Sequence, residues 1–155
     1  MQRCAMKSTG VAKGIGAGIL ATVPMTVAME LGRRGGLLRR LPPEEITDRL
    51  LASAGTTMAK REQRQSVAVF VHFATGATLG AIYAALPRPN RLTHRIGLGT
   101  TYGLGVYTLS YAGLAPKLHL MPPPSQDRPG RQGTTLAAHL VFGATLGWLR
   151  GLWSD

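Results

Sequence analysis

Two histidines of this sequence stand in the same local setting, and histidine is the side chain that most readily ligates a metal or transfers a proton near neutral pH. His72 opens the run HFATGATLG and His139 opens the run HLVFGATLG, so that six of the nine aligned positions are identical. Both runs lie within apolar segments that are long enough to cross a lipid bilayer. An ionisable group inside such a segment is a candidate functional group.

Two further ionisable residues are expected at the same end of the molecule. Glu30 and His119 stand where apolar segments finish, on the side at which the segments that carry His72 and His139 begin. We therefore predict a polar or ligand-binding cluster of Glu30, His72, His119 and His139. Three roles are open to it: hydrogen bonds that fix the register of the helices, a path for protons or ions, or ligation of a haem or metal by His72 and His139.

The sequence assigns no catalytic residue and no reaction. Serine and threonine are plentiful, but no G-x-S-x-G motif marks a nucleophile. The sequence also has no metal signature such as HExxH, and Cys4 is its only cysteine, so no internal disulfide can form. We therefore expect no cofactor, with haem or metal binding through His72 and His139 as the alternative.

The composition indicates a membrane protein. Of the 155 residues, 45% are hydrophobic and 20 are glycine, and the formal net charge is +11. So basic a chain is typical of nucleic-acid-binding proteins, but here lysine and arginine are nearly absent from four apolar segments and gather at their flanks. Basic residues bracket membrane spans in this way because they lie at the lipid headgroups. The expected partner is therefore the lipid bilayer and not a nucleic acid.

The apolar segments predict an all-α fold with a single integral-membrane domain over residues 1–155. The spans are placed at about 14–32, 67–86, 96–115 and 134–153. In the first long loop, a proline pair is followed by acidic residues and a narrow apolar stripe. This pattern predicts a short amphipathic helix over about 43–60, lying on the membrane or on the bundle.

The chain is organised as two copies of one unit. Each unit is a span, a proline-containing loop and a span with the HxxxGATLG run. Because two spans return the chain to its starting side, the copies are parallel repeats of a helical hairpin, and together they predict a membrane four-helix bundle. Glycines four residues apart let helix backbones approach closely in lipid, so the GATLG stripes face either each other or the first and third spans. The glycines assigned to this packing are Gly14, Gly18, Gly76, Gly80, Gly143 and Gly147.

The predicted topology places both termini on the same side of the membrane. The positive-inside rule does not choose an orientation, because both sides carry many lysine and arginine residues.

The first span and the loop after it resemble a known family. The run GIGAGILATVPMTVAME, which ends at Glu30, and the run LPPEEIT, which begins at Leu41, are similar to those of the uncharacterised YagU-like bacterial inner-membrane proteins. The resemblance implies a multi-span protein of the bacterial cytoplasmic membrane. It offers no established catalytic residues.

These observations lead to a ranked set of functions. The first is a structural or accessory role, as a homo-oligomer or as a subunit of a larger membrane assembly. The alternative is a small transporter or channel for protons, ions or small solutes that uses Glu30, His72 and His139. The third is a membrane haem- or metal-binding protein.

Overall fold

The computed structural model describes residues 2–56 and 60–152, with side chains from Gly10 onward. Within these residues all regular structure is helical, which confirms the predicted all-α fold class. The helices are α1 (Gln2–Arg34), α2 (Pro42–Ser53), α3 (Arg61–Ala84), α4 (Leu92–Tyr107), α5 (Ala115–Lys117) and α6 (Pro129–Leu152). A π-helical segment, Thr108–Leu114, joins α4 to α5, and a single 3-10 turn, Pro124–Gln126, precedes α6.

The predicted spans fall on the long helices. Those at 14–32 and 67–86 lie on α1 and α3, and the one at 96–115 covers most of α4 and the π-helical segment. The span at 134–153 lies on α6, apart from Trp153, which is outside the described residues. All four helices begin before the predicted spans, because hydropathy marks only the apolar stretch while the polar turn before it is helical too.

Two helical stretches are long and apolar enough to cross a membrane, judged by length and composition within the described residues. They are Gly10–Arg34 of α1 and the whole of α3, Arg61–Ala84. Helix α6 has 24 residues but is not one of these two stretches, and α4 has 16 residues before the π-helical segment continues it.

The helix in the first long loop is shorter than predicted. It ends at Ser53, and residues 57–59 lie outside the described part of the chain. Gly55 has a φ of +66°, and the Thr56 N–H donates to the Leu51 carbonyl at 2.9 Å. A left-handed glycine directly after the last turn is a common helix stop, and it explains why α2 does not reach residue 60.

Helices α1 and α3 run antiparallel and touch through their backbones. A Cβ atom added to Gly18 would collide with the carbonyl oxygen of Gly76, and one added to Gly80 would collide with the carbonyl oxygen of Gly14. The hydroxyl of Thr22 fills the space beside Gly76. Only glycine leaves room for such an approach, which lets the two helices gain close packing along their length.

Helices α4 and α6 form a second antiparallel pair of the same kind. Added Cβ atoms at Gly99 and Gly143 would each collide with the other residue's carbonyl oxygen. One at Gly147 would meet the carbonyl oxygen of Arg95, and one at Gly103 that of His139. The two GATLG stripes therefore face α1 and α4, and not each other.

Helices α1 and α6 join the two pairs, and the core lies between them. Six of its side chains are at most 2% exposed: Ala21, Met29, Tyr83, Ala138, Phe142 and Leu146. Helices α3 and α4, which follow one another in the chain, meet through side chains: the Tyr83 and Tyr102 rings lie 5.1 Å apart, and the Tyr102 hydroxyl donates to the Leu79 carbonyl at 2.8 Å.

Arg150 fastens α6 to the end of α3. Its guanidinium donates to the carbonyl oxygens of Tyr83 at 2.8 Å, Ala84 at 3.0 Å and Leu86 at 2.6 Å. Carbonyls at the C-terminal end of a helix have no partner within it, so one arginine satisfies several of them at once. This end of the bundle is therefore closed by hydrogen bonds between the two helix pairs.

Substitution of Gly76 or Gly143 by leucine should disrupt the bundle, because the new side chain would force two helix backbones apart. We expect each variant to melt at a lower temperature than the wild type in detergent, with a loss of about 1–3 kcal/mol or more. Gly105 on α4 is the matched control, since nothing lies within 4 Å of its Cβ position. Gly105→Leu should melt like the wild type, and unchanged melting of both Gly76→Leu and Gly143→Leu would contradict this packing.

Candidate functional site

A cavity of about 370 Å³ lies between the two helix pairs, beneath the first long loop. Residues of α1, α2, α3, the π-helical segment and α6 line it, and both His72 and His139 are among them. The structure therefore brings the two histidines of the HxxxGATLG runs to one space. We call this space the histidine cavity.

His139 is held in one orientation by its own helix and by α4. Its Nδ1 lies 2.8 Å from the carbonyl oxygen of Thr135, one turn earlier on α6. Because a carbonyl oxygen can only accept, Nδ1 carries the proton and donates, which leaves Nε2 as an acceptor in the neutral ring. The ring also meets the Tyr107 ring edge to face, with 5.6 Å between the centroids.

Two buried polar atoms on the cavity lining have no partner among the described residues. They are Nε2 of His72 and the hydroxyl oxygen of Thr135. Thr135 is 2% exposed. Most buried polar groups in native proteins are hydrogen-bonded, and an exception points to a ligand, a water molecule or a functional role.

The π-helical segment shapes one wall of the cavity. Leu109, Ser110, Tyr111 and Leu114 of this segment all line it. A π-helix inserts residues into the regular helical repeat, and in proteins such turns are frequent at functional sites. Here the irregular turn presents four residues to one space.

A hydrogen-bonded network anchors this wall to the loops. The Tyr111 hydroxyl donates to the Asp127 carboxylate, and Arg131 lies 3.3 Å from the same carboxylate. Arg131 also donates to Glu45 of α2 at 2.7 Å. Tyr107 stacks on Tyr111 with ring centroids 5.1 Å apart. The π-helical segment, the start of α6 and α2 are therefore tied together above the cavity.

Glu30, the third residue of the predicted cluster, lies outside the cavity lining. Its carboxylate accepts hydrogen bonds from Arg33, at 2.6 and 2.7 Å, and from Arg34 at 2.9 Å. It lines a separate polar cleft of about 520 Å³ that also includes Arg40. In that cleft Arg40 donates to Asp48 at 2.6 Å, and this hydrogen bond raises the pKa of the arginine.

His119, the fourth predicted residue, is exposed at the end of α5 and does not line the cavity. Its φ of 55° lies in the left-handed region, and its carbonyl oxygen accepts a hydrogen bond from Arg49 at 3.0 Å. This residue turns the chain and links the second loop to α2.

Thr135 and Tyr111 belong to the site but were not predicted from the sequence. Thr135 stands four residues before His139, a spacing of about one helical turn that places the two on one face. That spacing could have predicted from the sequence that Thr135 lies beside His139. The position of Tyr111 depends on the π-helical segment, for which the sequence offers no comparable sign.

The described residues contain no group of three or more His, Cys, Asp or Glu side chains placed to hold a metal ion. Among the His, Cys, Asp and Glu residues of the described chain, His72 and His139 are the ones on the cavity lining that could ligate a haem or metal.

The chain matches one family model. The model, described as a family of unknown function (DUF6789), covers residues 8–155. Neither a curated protein nor a solved structure matches the chain.

Removal of the Tyr111 hydroxyl should loosen the network above the cavity. Tyr111→Phe removes one hydrogen bond to Asp127, and we expect a loss of about 1.5–3 kcal/mol, since the acceptor is charged. Tyr107→Phe is the control, because among the described residues its hydroxyl makes no hydrogen bond while its ring makes similar contacts. Thermal melting in detergent measures both, and equal stability of the two variants would argue against the network.

Proposed function

The chain belongs to the DUF6789 family, whose function is unknown, and we propose that it is a small integral membrane protein with a structural or accessory role. In this proposal the four long helices form a membrane bundle of two parallel repeats. The bundle acts as a homo-oligomer or as a subunit of a larger membrane assembly.

The outward face of α1 carries the proposal. Large apolar residues recur on it every four positions, and each is at least 40% exposed: Ile15, Ile19, Val23, Val27 and Leu31. The stripe lies beside the face that packs on α3 through glycine and extends for ~24 Å at 1.5 Å per residue. A continuous apolar stripe of this length is unfavourable in water and matches most of the ~30 Å hydrocarbon core of a bilayer.

The other helices add to this outer surface. On α3, three large apolar residues are 53–74% exposed: Val69, Phe70 and Ile82. Leu104 of α4 is 45% exposed, and Leu109 of the π-helical segment is 67% exposed. Lipid tails would cover these side chains at no cost to the packing within the bundle.

The glycine contacts support the repeat. Gly76 and its counterpart Gly143 face the carbonyl oxygens of Gly18 and Gly99. The next glycines of the two runs, Gly80 and Gly147, face the carbonyl oxygens of Gly14 and Arg95. Gly14 and Arg95 stand four residues before Gly18 and Gly99. The same register in both pairs is what a duplicated helical hairpin would produce.

The resemblance of the first span to YagU-like proteins favours the bacterial cytoplasmic membrane as the location. Two hairpins would place both termini on one side of it.

Membrane insertion can be tested by fractionation of expressing cells. We expect the full chain to stay in the membrane pellet after an alkaline carbonate wash, because the apolar stripe lies in the lipid, and to be released by detergent. Reporter fusions at the two termini should report the same side of the membrane. Release by carbonate, or reporters on opposite sides, would refute the proposal.

A second candidate is transport of protons, ions or small solutes, and the presence of both histidines on one cavity favours it. Glu30, by contrast, lines a different cleft. In proteoliposomes, His72→Ala should lower the flux of a transported solute, while Glu30→Ala should leave it near the wild-type value. Flux that His72→Ala does not change would rule out a path through the cavity.

Haem or metal binding through His72 and His139 is the third candidate. Two imidazoles on one cavity support it, and the described residues hold no group of three or more His, Cys, Asp or Glu side chains placed to bind a metal.

A further inference from the structure

We propose that the histidine cavity binds a neutral, lipid-soluble molecule that has an apolar body and a carbonyl or hydroxyl head. The head would lie at His72 and Thr135. This inference rests on the proposed function, because the opening of the cavity faces lipid only if the helices cross the membrane.

The unpaired polar atoms locate the head. The Nε2 of His72 and the hydroxyl of Thr135 are buried on the cavity lining, and neither has a partner among the described residues. An imidazole nitrogen and a hydroxyl can each donate or accept a hydrogen bond. An oxygen atom on the ligand would satisfy them, and their desolvation would otherwise stay uncompensated.

The charge of the lining limits the head to a neutral group. No Asp, Glu, Lys or Arg is among the cavity-lining residues in the described part of the chain. A charged head would therefore lose its hydration without gaining a counter-charge, which is far more costly than burial of a neutral oxygen. Carboxylates and phosphates are disfavoured on this ground.

The walls fit an apolar body. Met25, Met29, Leu79 and Phe142 surround the space, and Val106 continues it toward the π-helical segment. The volume of about 370 Å³ lies within the range of about 300–1,000 Å³ found for small-molecule pockets, which are mostly apolar with a few placed polar groups.

The histidine cavity opens on the side of the helix bundle. The exposed members of the lining are on α3 and on the π-helical segment, among them Val71 at 37%, Leu109 at 67% and Leu114 at 51% exposure. Pro42 and Ile46 of α2 lie over the space from the loop side. An apolar molecule would therefore enter between α3 and the π-helical segment, from the layer of lipid tails, while α2 separates it from water.

Four probes of similar chain length test the head chemistry on the full chain in detergent. They are 1-decanol, 2-undecanone, decane and decanoate, each titrated against protein with 15N-labelled histidine. We expect 1-decanol and 2-undecanone to bind saturably and to shift the His72 ring signal. Decane should bind more weakly without shifting it, and decanoate should bind more weakly than the neutral probes. His94, which is exposed and outside the lining, reports any effect of probe partition into the micelle.

Variants identify the site. His72→Phe and Thr135→Val each remove one polar atom at similar volume and should weaken 1-decanol binding about tenfold, the value of one net hydrogen bond. Thr78→Val is the matched control, because Thr78 is exposed on α3 and bonds only the Ala74 carbonyl. Melting curves of all variants show whether each is folded. If His72→Phe does not fold, Thr135→Val alone decides.

Several results would overturn the inference. The first is the absence of a saturable shift of the His72 signal, which would leave water as the only occupant of the cavity. The second is equal binding of decane and 1-decanol, and the third is tighter binding of decanoate than of the other probes. The fourth is binding of 1-decanol to Thr135→Val with wild-type affinity. Failure of binding in a protein that resists carbonate extraction would refute this inference and leave the proposed function standing. Release by carbonate would refute the proposed function whatever the titrations show.

Discussion

Direct contact between helix backbones is the constraint on which the rest of this structure depends. Gly18 lies against Gly76 on one pair of helices, and Gly99 lies against Gly143 on the other. Close approach of two backbones brings many atoms into van der Waals contact along both helices, and these dispersion contacts stabilise each pair. Small residues therefore lie at the contact between the two helices of a pair, and the large apolar residues lie in the core between the pairs or on the outer surface.

The histidine cavity follows from how the two pairs meet. Helices α1 and α6 join them. The contact between α3 and α4 is made by side chains, with the Tyr83 ring against the Tyr102 ring. A gap is left between α3 and the π-helical segment, at the level of His72 and His139. Helix α2 covers that gap, and the network from Tyr111 through Asp127 and Arg131 to Glu45 holds the cover in place.

The helical fold was readable from the sequence, and of the four residues of the predicted cluster, His72 and His139 line one cavity whereas Glu30 and His119 do not. Hydropathy and proline positions located the long helices, and the repeated HxxxGATLG run singled out two histidines that do share a cavity. Glu30 and His119 were predicted beside them because sequence order gives the level of a residue along the bundle. It does not give the direction in which the residue points. Glu30 forms salt bridges with Arg33 and Arg34 of its own helix. Since these arginines stand three and four positions later, the sequence spacing alone could have predicted this pairing.

By itself, the sequence determined the helical fold, the four-residue spacing of the glycines and the presence of two histidines in the same local sequence, since these depend on residue type and on the period of one helix. Only the tertiary structure decided that the GATLG stripes face α1 and α4, that a π-helical turn lines the cavity and that Thr135 accompanies His72 there. The physical reason is that helix rotation and register are set by contacts between different helices. Such contacts couple residues far apart in the chain, and no local pattern records them.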